Sequence, residues 1–89
     1  MDGDALVDRA ERLSTRTEFV AFIDELRQNL IDHPDEWENQ SLELFLAGLR
    51  GFAENAAGYY ANIGESDVDV DVATWRGFAD MLLAAKVYE

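Results

Sequence analysis

The sequence has no cysteine, one proline, one histidine and one lysine, Lys86, beside six arginines. Without thiols there is no disulfide, no thiolate nucleophile and no thiolate metal ligand, which leaves the core as the only source of stability. Basic residues are scarce: 7 Lys and Arg face 19 Asp and Glu, giving a net charge of −12. That sign is wrong for phosphate backbones and anionic lipid, so neither nucleic acid nor a membrane surface is expected as a partner. No apolar run approaches the ~20 residues that cross a bilayer. The opening Met1-Asp2-Gly3-Asp4 is acidic where a signal peptide needs positive charge. A cytoplasmic protein is the expectation.

What is present is enough to fold. A chain of 89 residues is too short for two domains, and 48% hydrophobic residues argue against disorder, so residues 1–89 read as a single domain. Leu6, Ala10 and Leu13 mark a short helix over residues 5 to 13, with Asp2 and Asp4 ahead to complement its N-terminus. Thr15-Arg16-Thr17-Glu18 has the pattern of a capping box. It opens a helix over about 16 to 31, with Phe19, Phe22, Ile23, Leu26 and Leu30 on one stripe and Pro34 beyond its end.

A third helix, about 40 to 57, starts with Asn39 or Ser41 as cap and carries Leu42, Phe45, Leu46, Leu49 and Phe52. Gly48 and Gly51 within it suggest a close helix crossing, and Gly58 a terminator. Residues 61 to 72 include an Asp-Val alternation with no second strand to pair with, which reads as extended loop. The fourth helix, about 73 to 88, is capped by Asp71 or Thr74 and buries Trp75, Phe78 and Leu82. The fold class is all-α, an antiparallel bundle of three main helices plus a short N-terminal one, with the apolar residues just named from Phe19 onward as its core.

Three segments carry a resemblance. Trp37-Glu38-Asn39 with Ser41-Leu42-Glu43 and Phe45-Leu46, then Gly58-Tyr59-Tyr60-x-Asn62, then Trp75-x-x-Phe78-Ala79-Asp80-Met81-Leu82-Leu83-Ala84-Ala85-Lys86-x-Tyr88-Glu89, are together similar to a family of small bacterial proteins described only as a domain of unknown function. The resemblance covers roughly residues 17 to 89, and its closing segment is the most specific. It implies a stand-alone, mostly helical, cytoplasmic protein and assigns no catalytic residue. The Asp-Val alternation departs from the resemblance, where proline or neutral polar residues are expected.

Individual residues offer little chemistry. His33 stands among Asp32, Asp35, Glu36 and Glu38, but it is a lone histidine with neither a nucleophile nor further nitrogen ligands, and these acids read as solvated groups between two helices. Asp67, Asp69 and Asp71 imitate ligands 1, 3 and 5 of an EF-hand, yet Val72 and Phe78 occupy the positions that need Gly and Glu. No cofactor is implied. There is no phosphate loop, no nucleophile elbow and no zinc motif, so catalysis is not expected. Trp37 and Trp75 read as core anchors. Tyr59 and Tyr60 are adjacent, so their rings diverge by about 100° and one of them should face solvent or a partner.

Three classes of function follow. The first is an interaction module for a protein with a basic surface, of which an immunity-type inhibitor of a cationic nuclease is one form. The second is a DNA mimic, for which the acids are too clustered. The third is a homodimer closed through helix four, motivated by Met81, Leu83 and Val87 outside its main stripe. For the first, bundle topology puts Tyr59, Tyr60 and Asn62 at one pole with Glu65, Asp67, Asp69 and Asp71, and puts Trp37 and Tyr88 at the other. That first pole is the expected contact site, its aromatics serving as anchors and its acids steering a basic partner.

Overall fold

The computed structural model describes residues 3–88. Among these are five α-helices and no strand: α1 (Gly3–Glu11), α2 (Arg16–Asp32), α3 (Leu42–Glu54), α4 (Ala56–Asn62) and α5 (Trp75–Ala85), with a 3-10 turn at Pro34–Glu36. Asp2 and the side chain of Asp4 lie outside the described residues.

The local signals act as their chemistry requires. Thr15 Oγ1 accepts from the Glu18 amide at 3.1 Å, and Glu18 Oε1 accepts from the Thr15 and Ser14 amides at the same distance, which completes the capping box. These bonds hold the Glu18 carboxyl below its ordinary range. Ser41 caps α3 through the Leu44 amide, and Thr74 caps α5 through the Gly77 amide. The expected third helix is instead two. Asn55 turns its side chain onto the Gly51 carbonyl at 3.2 Å and onto the Tyr88 hydroxyl at 3.0 Å, and the helix breaks there before resuming as α4. Gly58 consequently lies inside α4, and the terminator is Gly64, whose φ of 79° lets the chain reverse so that the Glu65 amide reaches the Tyr60 carbonyl at 2.7 Å.

Helix α5 is the element on which the others pack: α1, α2 and α3 all lie against it, while α2 and α3 meet each other little. One cluster joins Leu6, Ala10 and Leu13 to Phe22, Leu26, Trp37 and Ala79. A second joins Phe52, Ala56 and Tyr60, with Val68, Val70 and Met81 packed over it. The Asp-Val alternation is thereby explained without a strand, since Val68 and Val70 turn inward and leave Asp67, Asp69 and Asp71 exposed. Helix α1 is central, with Leu6 and Ala10 fully buried. It occupies the place expected for parts of α2 and α3, and Ile23, Leu30, Leu42, Leu46 and Phe78, expected in the core, are exposed.

A buried polar cluster fixes the end of α5. Asn39 donates its backbone N–H to the Lys86 carbonyl at 2.8 Å, and its side-chain amide donates to the carbonyls of Ala85 at 2.9 Å and Tyr88 at 2.8 Å. Fully buried Asn29 accepts from the Trp37 indole at 2.8 Å and from the Lys86 ammonium at 2.9 Å. The ammonium also stands 5.2 Å from the centre of the Trp37 ring. Burial pushes the Lys86 ammonium below its ordinary value, against the opposing charge of Glu36. Gly48 is the notch that admits this cluster, because a Cβ there would stand 2.7 Å from Asn39 Nδ2, 2.7 Å from the Tyr88 carbonyl and 3.0 Å from the Ala85 carbonyl. The middle of α3 therefore meets the end of α5, which corrects the expected placing of Tyr88. Its ring lies 5.9 Å from Phe52, on the same side as Tyr59.

Urea unfolding of two glycine variants tests this packing. Gly48→Ala should lose about 2 kcal/mol, because backbone must move to admit the methyl. Gly58→Ala, with nothing within 4 Å of the added carbon, should gain up to about 1 kcal/mol from helix propensity.

Candidate functional site

The pole expected to bind is built from α4, the following connection and α5, and a chain of polar contacts holds it. Tyr60 is buried and donates its hydroxyl to Asp80 Oδ2 at 2.5 Å. Arg76 grips Glu65 with two bonds, of 3.0 and 2.7 Å, and brings Nε to 3.4 Å from Asp80. Its guanidinium carbon lies 5.5 Å from the centre of the Tyr60 ring. Burial pushes the Asp80 carboxyl above its ordinary value, against the Tyr60 hydroxyl and the Arg76 charge. Burial and the bond to Asp80 push the Tyr60 phenol up as well, so it stays a neutral donor. Arg76 holds Glu65 below the usual carboxylate range. Tyr60 and Asp80 satisfy each other while Arg76 joins two carboxylates, so the network ties α4, the connection and α5 together.

Beside this tie runs an open groove of about 630 Å³ between α1, α4 and α5. Phe52 and Leu83 are among its apolar lining, Tyr59 and Tyr88 stand along it, and exposed Val7 and Val87 lie on its edge. Its polar residues are Asn55, Asn62 and the two tyrosines, with Asp80 and Lys86 largely buried beneath. Both Tyr59 and Tyr88 lean edge-on against Phe52, with ring centres at 5.1 and 5.9 Å. Such a surface can hold apolar side chains and offer amide donors and acceptors to a backbone laid across it.

The expected site is thus divided by α4. Tyr59 and Asn62 open onto the groove, whereas Asp69 and Asp71 border a different hollow of about 440 Å³ over Phe52 and Met81. Tyr60 is a core residue and not a surface anchor, and Glu65 is engaged by Arg76. Asp67 is exposed, and Asp69 turns its carboxylate back onto the Asp71 amide at 3.0 Å. His33 stands at the surface, its Nδ1 3.7 Å from Glu36. Among the described residues no three His, Asp or Glu side chains converge as metal ligands would. Val7 and Asn55 escape sequence reasoning because they come from distant stretches of the chain. The sequence signals of the groove are Tyr59 and Asn62, and the surplus apolar surface of the last helix at Leu83 and Val87.

The raised Asp80 and the lowered Glu18 and Glu65 make opposite contributions to stability. The folded chain holds the Asp80 proton more tightly than the unfolded chain, so the stability linked to it is complete below 3.8 and declines as pH rises through the folded-state value. Glu18 and Glu65 stabilise the fold above 4.5 and cease to do so as pH falls through their lowered values. In urea unfolding between about pH 4 and about pH 7, the lead of the natural chain over Asp80→Asn should be largest at the acid end and shrink with rising pH. A lead that grows with pH would mean that Arg76 outweighs burial at Asp80.

No curated protein and no solved structure matches the chain. A family model described as a family of unknown function (DUF7660) matches residues 15–89, which contain Asn29, Asn39 and Lys86 of one polar tie and Tyr60, Glu65, Arg76 and Asp80 of the other. With that match over most of its length, the chain belongs to the family of unknown function DUF7660.

Proposed function

We propose that this protein is a non-catalytic interaction module that receives an amphipathic helix with basic flanks from a protein partner in the groove between α1, α4 and α5. The observation that carries the reading is the groove itself, an open and mostly apolar trough of about 630 Å³ on a chain of net charge −12. Its volume falls in the range of roughly 300–1,000 Å³ typical of ligand sites. Exposed Val7 and Val87 supply apolar edges of the kind onto which an amphipathic helix lays its apolar face.

Charge selects the partner's chemistry. A field from an excess of twelve carboxylates raises the encounter rate of a cationic segment and turns acidic ones away. Asp67, Asp69 and Asp71 lie across α4 from the groove, so their part is to steer at long range and Tyr59 is the contact residue. In this reading α2, α3 and α5 form a small antiparallel three-helix bundle to which α1 and α4 add the groove walls.

A fluorescein-labelled helical peptide, with leucines at helical spacing on one face and lysines on its flanks, tests the reading. Binding should weaken as salt rises, and Tyr59→Ala and Val87→Asp should each weaken it about tenfold by speeding dissociation. Changing Asp67, Asp69 and Asp71 together to Asn should slow association and leave dissociation unchanged. Equal affinity for the natural chain, Tyr59→Ala and Val87→Asp would place the contact elsewhere.

A further inference from the structure

The polar network beneath the groove satisfies Asp80 on one oxygen only. Asp80 borders the groove, and its side chain is 6% exposed. Both contacts to this carboxylate end on the same atom: the Tyr60 hydroxyl donates to Oδ2, and Arg76 Nε stands 3.4 Å from it. Oδ1 takes no hydrogen bond among the described residues. A carboxylate buried with one oxygen idle is costly, because burial strips its water and only a donor restores what is lost.

The charges around Asp80 are unbalanced toward the negative. Arg76 turns both terminal nitrogens onto Glu65 and borders a different hollow, beside Leu13 and Trp75. The Lys86 ammonium is held by Asn29 and the Trp37 ring, neither of which lines the groove. Tyr59 does line it, and its hydroxyl has no hydrogen-bond partner among the described residues. Glu11 is exposed at the end of α1, the helix that forms one wall. Burial raises the Tyr59 phenol, and the charges of Asp80 and Glu11 raise it further, so the three groups act on one another. One arginine thus stands among three carboxylates, Glu11, Glu65 and Asp80, and it is turned away from the groove.

Resting on the reading that this groove receives a partner helix, we infer that its floor at Asp80 is a pocket for one lysine of that helix, set within the apolar face and donating its ammonium to Asp80 Oδ1 and the Tyr59 hydroxyl. Shape selects lysine over arginine. A guanidinium grips a carboxylate by both oxygens, and here Oδ2 already belongs to Tyr60 and Arg76. An ammonium is a compact point charge that needs one oxygen, and its four-carbon stem suits a lining that includes Phe52 and Leu83. The acidic body draws in the basic flanks of the partner, and this buried pair sets which residue of its helix faces inward.

Three forms of the labelled peptide, alike except for lysine, arginine or methionine at one central position of the leucine face, test the pocket by fluorescence anisotropy. The lysine form should bind the natural chain about tenfold more tightly than the methionine form and about fivefold more tightly than the arginine form. The arginine form has the same net charge, so the second ratio is free of long-range attraction to the acidic body. In Asp80→Asn the lysine advantage over methionine should fall to about twofold, with helical circular dichroism retained. Tyr59→Phe, which removes one hydroxyl and keeps the ring, should halve that advantage and serves as the second variant should asparagine disturb the bonds of Tyr60 and Arg76. An arginine form that binds as tightly as the lysine form would overturn the proposal, and so would a lysine advantage untouched by both variants. Either result leaves the groove reading standing, whereas no binding by any form overturns both.

Discussion

The last carbonyls of α5 are closed by a side chain 46 residues earlier in the sequence. A helix end buried without partners costs several hydrogen bonds, and the turn after α5 closes the Leu83 and Ala84 carbonyls but leaves those of Ala85 and Lys86 to another part of the chain. Asn39 supplies the missing donors twice, by its backbone to Lys86 and by its side chain to Ala85 and Tyr88. From that bond the rest follows. Gly48 must lack a side chain to let the cap approach. Trp37, two residues before the cap, is carried onto Asn29 and stacks against Phe45. Lys86, one residue beyond the helix, turns inward between Trp37 and Asn29.

The chain's single lysine is therefore structural. An ammonium group is a compact point charge that fits beside an indole ring and one amide oxygen, where the planar fork of arginine would need more room and more acceptors. Buried polar groups of this kind favour one arrangement over its neighbours, because a shifted helix leaves donors unpaired in a medium of low dielectric. The same holds at the other end of α5, where Tyr60, Asp80, Arg76 and Glu65 fix α4 and the connection. Two polar ties thus set the ends of one central helix, and the apolar clusters fill the space between them.

Much of the local structure was legible in the sequence. The capping box at Thr15, the stop at Pro34 and the all-helical class rest on short-range chemistry that a one-dimensional reading contains. Gly48 was legible as a close crossing, though not what crosses it. The break at Asn55 was not legible, because it depends on Tyr88, 33 residues away, accepting the asparagine amide. The core was misassigned for a related reason. Periodicity finds apolar stripes but cannot say which neighbour covers each, and α1 and α5 together cover only part of the stripes on α2 and α3. The candidate site was half legible. Tyr59 and Asn62 do face a groove, but α4 separates them from the aspartates, and Tyr60 is drawn inward by a carboxylate twenty residues on.

The open groove between α1, α4 and α5, an apolar surface on an acidic body, keeps its shape only while α5 is held at its ends. The most direct test of that dependence is native-state hydrogen exchange at the backbone amide of Asn39. It lies in the connection between α2 and α3, where an ordinary loop amide exchanges freely. If the cap holds α5, this amide opens only with global unfolding, at the same free energy and denaturant dependence as the amides of Leu82 and Leu83. Exchange at the rate of an unprotected loop, with α5 still protected, would contradict it.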